Sequence, residues 1–260
     1  MGTRAVDLQS IRNVTIAGEP AETTRVVRRL LGRDAGSGTA AVTHRVPDGG
    51  EHTIRVSELP GGAAIADLER SIRVADGVVV VLNAAAPGCP RPEMILRMAD
   101  DHQVARLCLV TGLDRPGADF ERCVRAIADT RGARPLTLHL PLGIGPRFDG
   151  VMDLVSMWAL EPMAAGFRGS HWAAAEREYR HLTAAVMEQD GEQRTDTGGQ
   201  QIPPEQLHDR IRRVTRIGEA VPVLCDPARC RDDIAGLLDA IVRYLPSPMR
   251  VCQPEHALDY

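Results

Sequence analysis

The chain has 260 residues, a formal net charge of -4 and 43% hydrophobic residues, enough apolar material for one large α/β core and too little positive charge for nucleic-acid binding by bulk electrostatics. No apolar run reaches membrane-spanning length and the opening MGTRAVDLQS lacks the apolar segment of a secretory signal, so a cytoplasmic protein is expected. The 6 cysteines lack the paired spacing of a zinc site and read as reduced, mostly buried thiols.

From the N-terminus, apolar β-rich runs fall at 13–17 (NVTIA), 52–56 (HTIRV), 77–84 (GVVVVLNA), 105–112 (ARLCLVTG), 135–142 (PLTLHLPL) and 221–225 (VPVLC). Between them, apolar residues recur at helical spacing over 22–31, about 64–75, 92–103, 118–130 and 234–245. The unbroken apolar run Val78 to Leu82 implies burial on both faces of a sheet. Strands and helices in alternation therefore predict an α/β fold, doubly wound around a mostly parallel sheet of about six strands.

The segment 143–219 interrupts this rhythm and reads as an α-rich insertion subdomain, with helices expected at about 172–189 and 204–217. The expected organisation is a main domain over 1–142 and 220–248, the insertion between, and a tail over 249–260. Trp158, Trp172, Phe148, Phe167 and Tyr179 all fall in the insertion, in a chain with 3% aromatic residues. They are expected to pack it onto the main domain, an exposed partner patch being the alternative.

The chain contains no lysine, so all 31 of its basic residues are arginine. On the surface this is compositional, but a phosphate-binding loop is another matter. Its lysine acts there as a compact point charge that a forked guanidinium does not simply replace.

The run LERSIRVADGVVVVLNAAAPGCPRPEMILRMADDHQVARLCLVTGLDRPGADFERCVRAI resembles the GTPase domain of bacterial elongation factor G, as do GVMDLVSMWAL and VPVLCDPA…GLLDAIVRYLPSP. The resemblance runs from Ile11 to Pro248, and the insertion is similar to the G-prime subdomain of that factor. It implies a P-loop NTPase fold, GTP with magnesium as cofactor, hydrolysis as activity, and the ribosome or its stalk protein as partner.

The motifs that would carry that chemistry are altered one by one. GEPAETT stands where the family has G-x-x-x-x-G-K-[ST], two residues shorter, with Gly18 as its first glycine, Ala21 for the second and Glu22 for the lysine. Thr23 would be the magnesium-side hydroxyl and Thr24 its neighbour; both are equally suited to starting a helix. In ELPGG, Glu58 could take a water on magnesium and Gly61 could offer its N–H to a γ-phosphate, but Gly62 replaces the histidine that positions the attacking water. TGLD keeps only Asp114 of the guanine-reading N-K-x-D, and Asp226, Pro227, Ala228 keep only Ala228 of the last motif.

Altered ligand positions on clean strands point to a retained fold and a lost GTP site. The leading expectation is a pseudo-GTPase acting through protein contacts, without a catalytic residue or a cofactor. Two alternatives stand beside it: a GTP or GDP binder with magnesium and residual turnover, and an enzyme or anion binder reusing the cleft, suggested by His102, His139 and scattered arginines. For the protein contact, Arg210, Arg213 and Arg216 offer an arginine-lined helix face to an acidic partner.

Overall fold

The computed structural model describes residues 8–32, 40–46, 50–59, 63–86, 88, 90–157, 169–189, 202–227 and 234–250. A seven-stranded sheet is built from β1 (Ile11–Gly18), β2 (Ala40–Arg45), β3 (Glu51–Glu58), β4 (Gly77–Asn83), β5 (Ala105–Thr111), β6 (Pro135–Thr137) and β9 (Val221–Cys225), in the order β2-β3-β1-β4-β5-β9-β6. Only β2 runs antiparallel to its neighbour; it is an edge strand whose residues alternate between half-buried and exposed. The central strands β4 and β5 are buried almost throughout, as their unbroken apolar sequences require.

Seven helices connect and cover the strands among the described residues: α1 (Pro20–Leu31), α2 (Ile65–Arg73), α3 (Pro90–Asp101), α4 (Phe120–Ala128), α5 (Gly169–Gln189), α6 (Pro204–Arg216) and α7 (Ala235–Tyr244). Alternation along β4 divides the core. Val79 and Val81 face one layer, with Val26, Val27 and Leu30 of α1 and the apolar stripes of α5, α6 and α7. Val78 and Val80 face the other, with Leu68 and Ile72 of α2, Ile95 and Leu96 of α3, and Cys123 and Ile127 of α4. Helices on both faces of a mostly parallel sheet make the doubly wound fold that the sequence predicts.

The expected single strand over 135–142 is two. Leu138 is the branch point: its N–H donates to Val223 O (3.0 Å) in the large sheet, while its carbonyl accepts from Leu154 N–H (2.8 Å). Beyond it, β7 (His139–Pro141) pairs antiparallel with β8 (Val151–Asp153) in a sheet of their own. Residues of the 143–219 segment, among them Leu154, Tyr179, Leu182, Ile211 and Val214, join the same hydrophobic cluster as the main strands. Of the aromatic residues there, Phe148 and Tyr179 are buried and Trp172 packs half-buried on the core, while Trp158 and Phe167 lie outside the described residues.

One buried cation fastens three connections at the N-terminal end of β5. Arg106 is 0% exposed, pairs with Asp100 at 2.9 Å, and donates to the carbonyls of Gly132 and Gly218. Its contacts tie the C-terminal end of α3 to the turn before β6 and the turn before β9. Burial lowers its pKa, but the adjacent Asp100 carboxylate opposes that shift.

Candidate functional site

In a doubly wound sheet, ligands bind beyond the carboxyl ends of the strands, where β1 meets α1. Here β1 ends at Gly18 and α1 begins at Pro20, so one residue, Glu19, joins them. A phosphate cradle needs several backbone N–H groups turned towards the anion. Glu19 N–H instead donates to Val81 O (3.1 Å), Thr23 N–H donates to Glu19 O (2.8 Å), and Pro20 has no N–H to offer. Gly18 has φ +145°, and a Cβ there would lie 2.2 Å from the Val81 carbonyl oxygen. Glycine at this position therefore serves the contact between β1 and β4.

Glu22 sits in the first turn of α1 and is 3% exposed. A buried carboxylate requires counter-charge, and two guanidiniums supply it. Arg115, from the loop after β5, reaches Oε1 at 2.7 Å, and Arg25, one helical turn along α1, reaches Oε2 at 2.8 Å. Arg25 also meets Asp226 at 3.0 Å, and Arg29, a further turn along, meets the same carboxylate at 2.8 Å. Asp226 follows β9 and is 1% exposed; its own N–H donates to Val110 O (2.8 Å). The result is an alternating chain, Arg115–Glu22–Arg25–Asp226–Arg29, that links α1 to the loops following β5 and β9.

The other predicted residues take up structural tasks around this chain. Thr24 donates its hydroxyl to Glu58 Oε1 at 2.6 Å, fastening α1 to the end of β3. Thr23 is buried, and its Oγ1 has no hydrogen-bond partner among the described residues. In TGLD, Thr111 donates to Leu82 O (3.1 Å) and accepts, through its carbonyl, from Ala84 N–H (2.9 Å), which binds the loop to the end of β4. Asp114 is exposed beside Arg115. Gly61, Gly62 and Ala228 lie outside the described residues.

Three residues that complete the ion-pair chain, Arg25, Arg29 and Arg115, were not anticipated from sequence. The pair Glu22 and Arg25 at i, i+3 was a readable signal; the approach of Arg115 was not, because it depends on the path of the loop after β5.

His102 pairs with Glu69 at 3.2 Å. His139, elsewhere in the fold, accepts from Cys225 N–H at 3.3 Å, and burial lowers its pKa. Burial pushes the Cys225 thiol well up, which keeps it protonated. No group of three His, Cys, Asp or Glu side chains suited to a metal ion occurs among the described residues, and no described helix is long and apolar enough to cross a membrane.

The model of the Elongation factor Tu GTP binding domain family matches residues 35–247, most of the chain. The chain belongs to this GTP binding domain family. A crystal structure of a protein from Thermus thermophilus is similar in fold, with a TM-score of 0.69 at 20% identity, over 93% of this chain and 41% of that one. The chain thus spans less than half the length of that protein. The fold is the one that the elongation factor G likeness implies. The family match begins after β1 and α1, beyond the turn that carries Glu22.

The start of α1 differs from the family's phosphate-binding loop in charge and in length. A buried carboxylate replaces the lysine, and the joining turn is one residue long. Among the described residues, Arg25 and Arg115 pair with Glu22, and Arg29 pairs with Asp226.

Proposed function

We propose that this chain is a pseudo-GTPase, a translation-factor-type G domain that acts as a protein-binding module and makes no use of GTP or hydrolysis. The observation that carries the reading is Glu22, buried at the lysine position and paired with Arg25 and Arg115. Family G domains use an incoming triphosphate to organise the loops around α1. In this chain internal ion pairs hold the loops after β5 and β9 to α1, so the arrangement is locked without ligand. A cytoplasmic location follows from the same reading.

The partner surface proposed is the outer side of α5 and α6, in the segment resembling the G-prime subdomain, and the partner is the ribosome through its stalk or a protein derived from that contact. Arg177 and Arg180 of α5 and Arg213 of α6 are exposed. Arg210 and Arg216 do not present one face with Arg213: Arg210 is half-buried and reaches Met187 Sδ at 3.0 Å, and Arg216 lines a cavity with Arg12 and Arg243.

Co-sedimentation with ribosomes tests both parts of the reading. Association should be equal with GTP, with GDP and without nucleotide, and charge reversal at Arg177, Arg180 and Arg213 should weaken it while leaving the melting temperature nearly unchanged. Absence of association removes the ribosome as partner, and association that requires GTP overturns the pseudo-GTPase reading.

A further inference from the structure

At the opposite end of the sheet from the cleft, a cavity of about 430 Å³ lies between the start of β1, the ends of α6 and α7, and the segment 245–250. Arg12, Arg212, Arg216, Arg243 and Arg250 line it, with Glu51 as the one lining carboxylate among the described residues. Part of this cluster has a structural explanation. Arg12, buried at 8% exposure, donates to Leu245 O (2.9 Å) and Val242 O (3.2 Å), capping the C-terminal end of α7, and Arg212 donates to Arg243 O.

The remaining three arginines have no such task. Among the described residues, Arg216, Arg243 and Arg250 donate no side-chain hydrogen bond and join no ion pair, and Arg216 Nε is wholly buried without a partner. Together they bring three guanidiniums to the lining, an excess of positive charge that favours an anion. The repulsion is already expressed: Arg12 has its pKa lowered to about 10, first by burial and then by Arg212 and Arg250, with Asp76 opposing. Glu51, the carboxylate in the lining, also meets the exposed Arg45 at 3.9 Å.

We propose that this cavity is an anion site for an oligophosphate group, held by Arg216, Arg243 and Arg250 over a floor formed by Arg12. Forked guanidiniums match phosphate oxygens, and several of them converging favour a multiply charged anion over a single carboxylate. The site is separate from the cleft at the other end of the strands, so it stands or falls independently of the pseudo-GTPase reading.

Calorimetric titration of the full chain with inorganic tripolyphosphate at low ionic strength is the test, with a short single-stranded RNA as a second arm. Saturable one-to-one binding below about 1 mM is expected for tripolyphosphate, weakened about tenfold in Arg216→Gln and also reduced in Arg250→Gln. Arg250 is exposed, so its variant reports on the site even if Arg216→Gln folds poorly. Arg97→Gln, at an exposed arginine of α3 outside the cavity, should bind as the wild type does. No saturable binding below about 1 mM, equal binding in the wild type and both cavity variants, or loss in Arg97→Gln each overturns the proposal. RNA binding through these arginines without tripolyphosphate binding makes the surface a nucleic-acid contact and overturns it as well.

Discussion

Glu22 is a buried carboxylate in the first turn of α1, held between the guanidiniums of Arg25 and Arg115. A carboxylate at the head of a helix is favoured by the helix dipole, and burial between two guanidiniums makes it part of the fold. Glu22→Lys would restore the family's charge at this position but place a third cation between Arg25 and Arg115. Both arginines are more than a third exposed or close to it and keep water when Glu22 is gone, which moderates the cost. We expect a loss of about 2–4 kcal/mol in urea unfolding and no micromolar affinity for GTP, because the turn between β1 and α1 remains one residue long. A variant as stable as the wild type that binds GTP tightly would show that the charge, and not the shortened turn, had removed the nucleotide. The substitution itself was plain in the sequence, as were Pro20 and Ala21. Its burial was not, since nothing local to GEPAETT reveals that Arg115 arrives from beyond β5.

Elements were more legible than sites because periodicity is a local property and convergence is not. The helices read at 22–31, 64–75, 92–103, 118–130 and 234–245 appear within a few residues of those spans, since each carries an apolar stripe that must face a sheet. The division of 135–142 into β6 and β7 escaped because an extended apolar run does not state which sheet it joins; Leu138 serves both. The packing of α6 on α7 adds a pH dependence that the sequence does not display. His208 Nδ1 lies 2.7 Å from the Tyr244 hydroxyl, and its pKa is lowered by burial first and by Arg243 next. The folded protein therefore favours the neutral ring, whereas the unfolded chain takes up a proton near about pH 6.5. Stability from this group is complete above that pH and declines as the pH falls from it towards the lower folded pKa. The urea midpoint of the wild type should drop between pH 7.5 and 5.5, and His208→Gln should narrow that drop. An equal drop in both proteins would assign the dependence to other groups, such as His139.

Over the whole molecule, the family's scaffold is kept while the nucleotide motifs are altered in sequence. Continuous apolar strands, their alternation with helices and the resemblance over Ile11 to Pro248 made the doubly wound G-domain fold legible, and both the seven-stranded sheet and the family match agree with it. The cleft was legible only as a set of missing parts: the lysine, the second glycine and the guanine-reading amide. What replaces them, an alternating chain of three arginines and two carboxylates, is visible only after α1 and the loops following β5 and β9 are brought together. The same convergence gathers arginines from distant segments around the cavity at the far end of the sheet. Under the proposed function, the internal ion pairs stand where a nucleotide would bind. Each lost charge-assisted contact is worth about 1.5–3 kcal/mol, and the absence of both the lysine and the open loop places GTP and GDP affinity at about millimolar or weaker. Isothermal titration of GTP and GDP with magnesium into concentrated wild-type protein measures this directly. No saturable binding at the cleft tighter than about 1 mM is expected, and a micromolar dissociation constant that is abolished by substitution at the exposed Asp114 would contradict the proposed function.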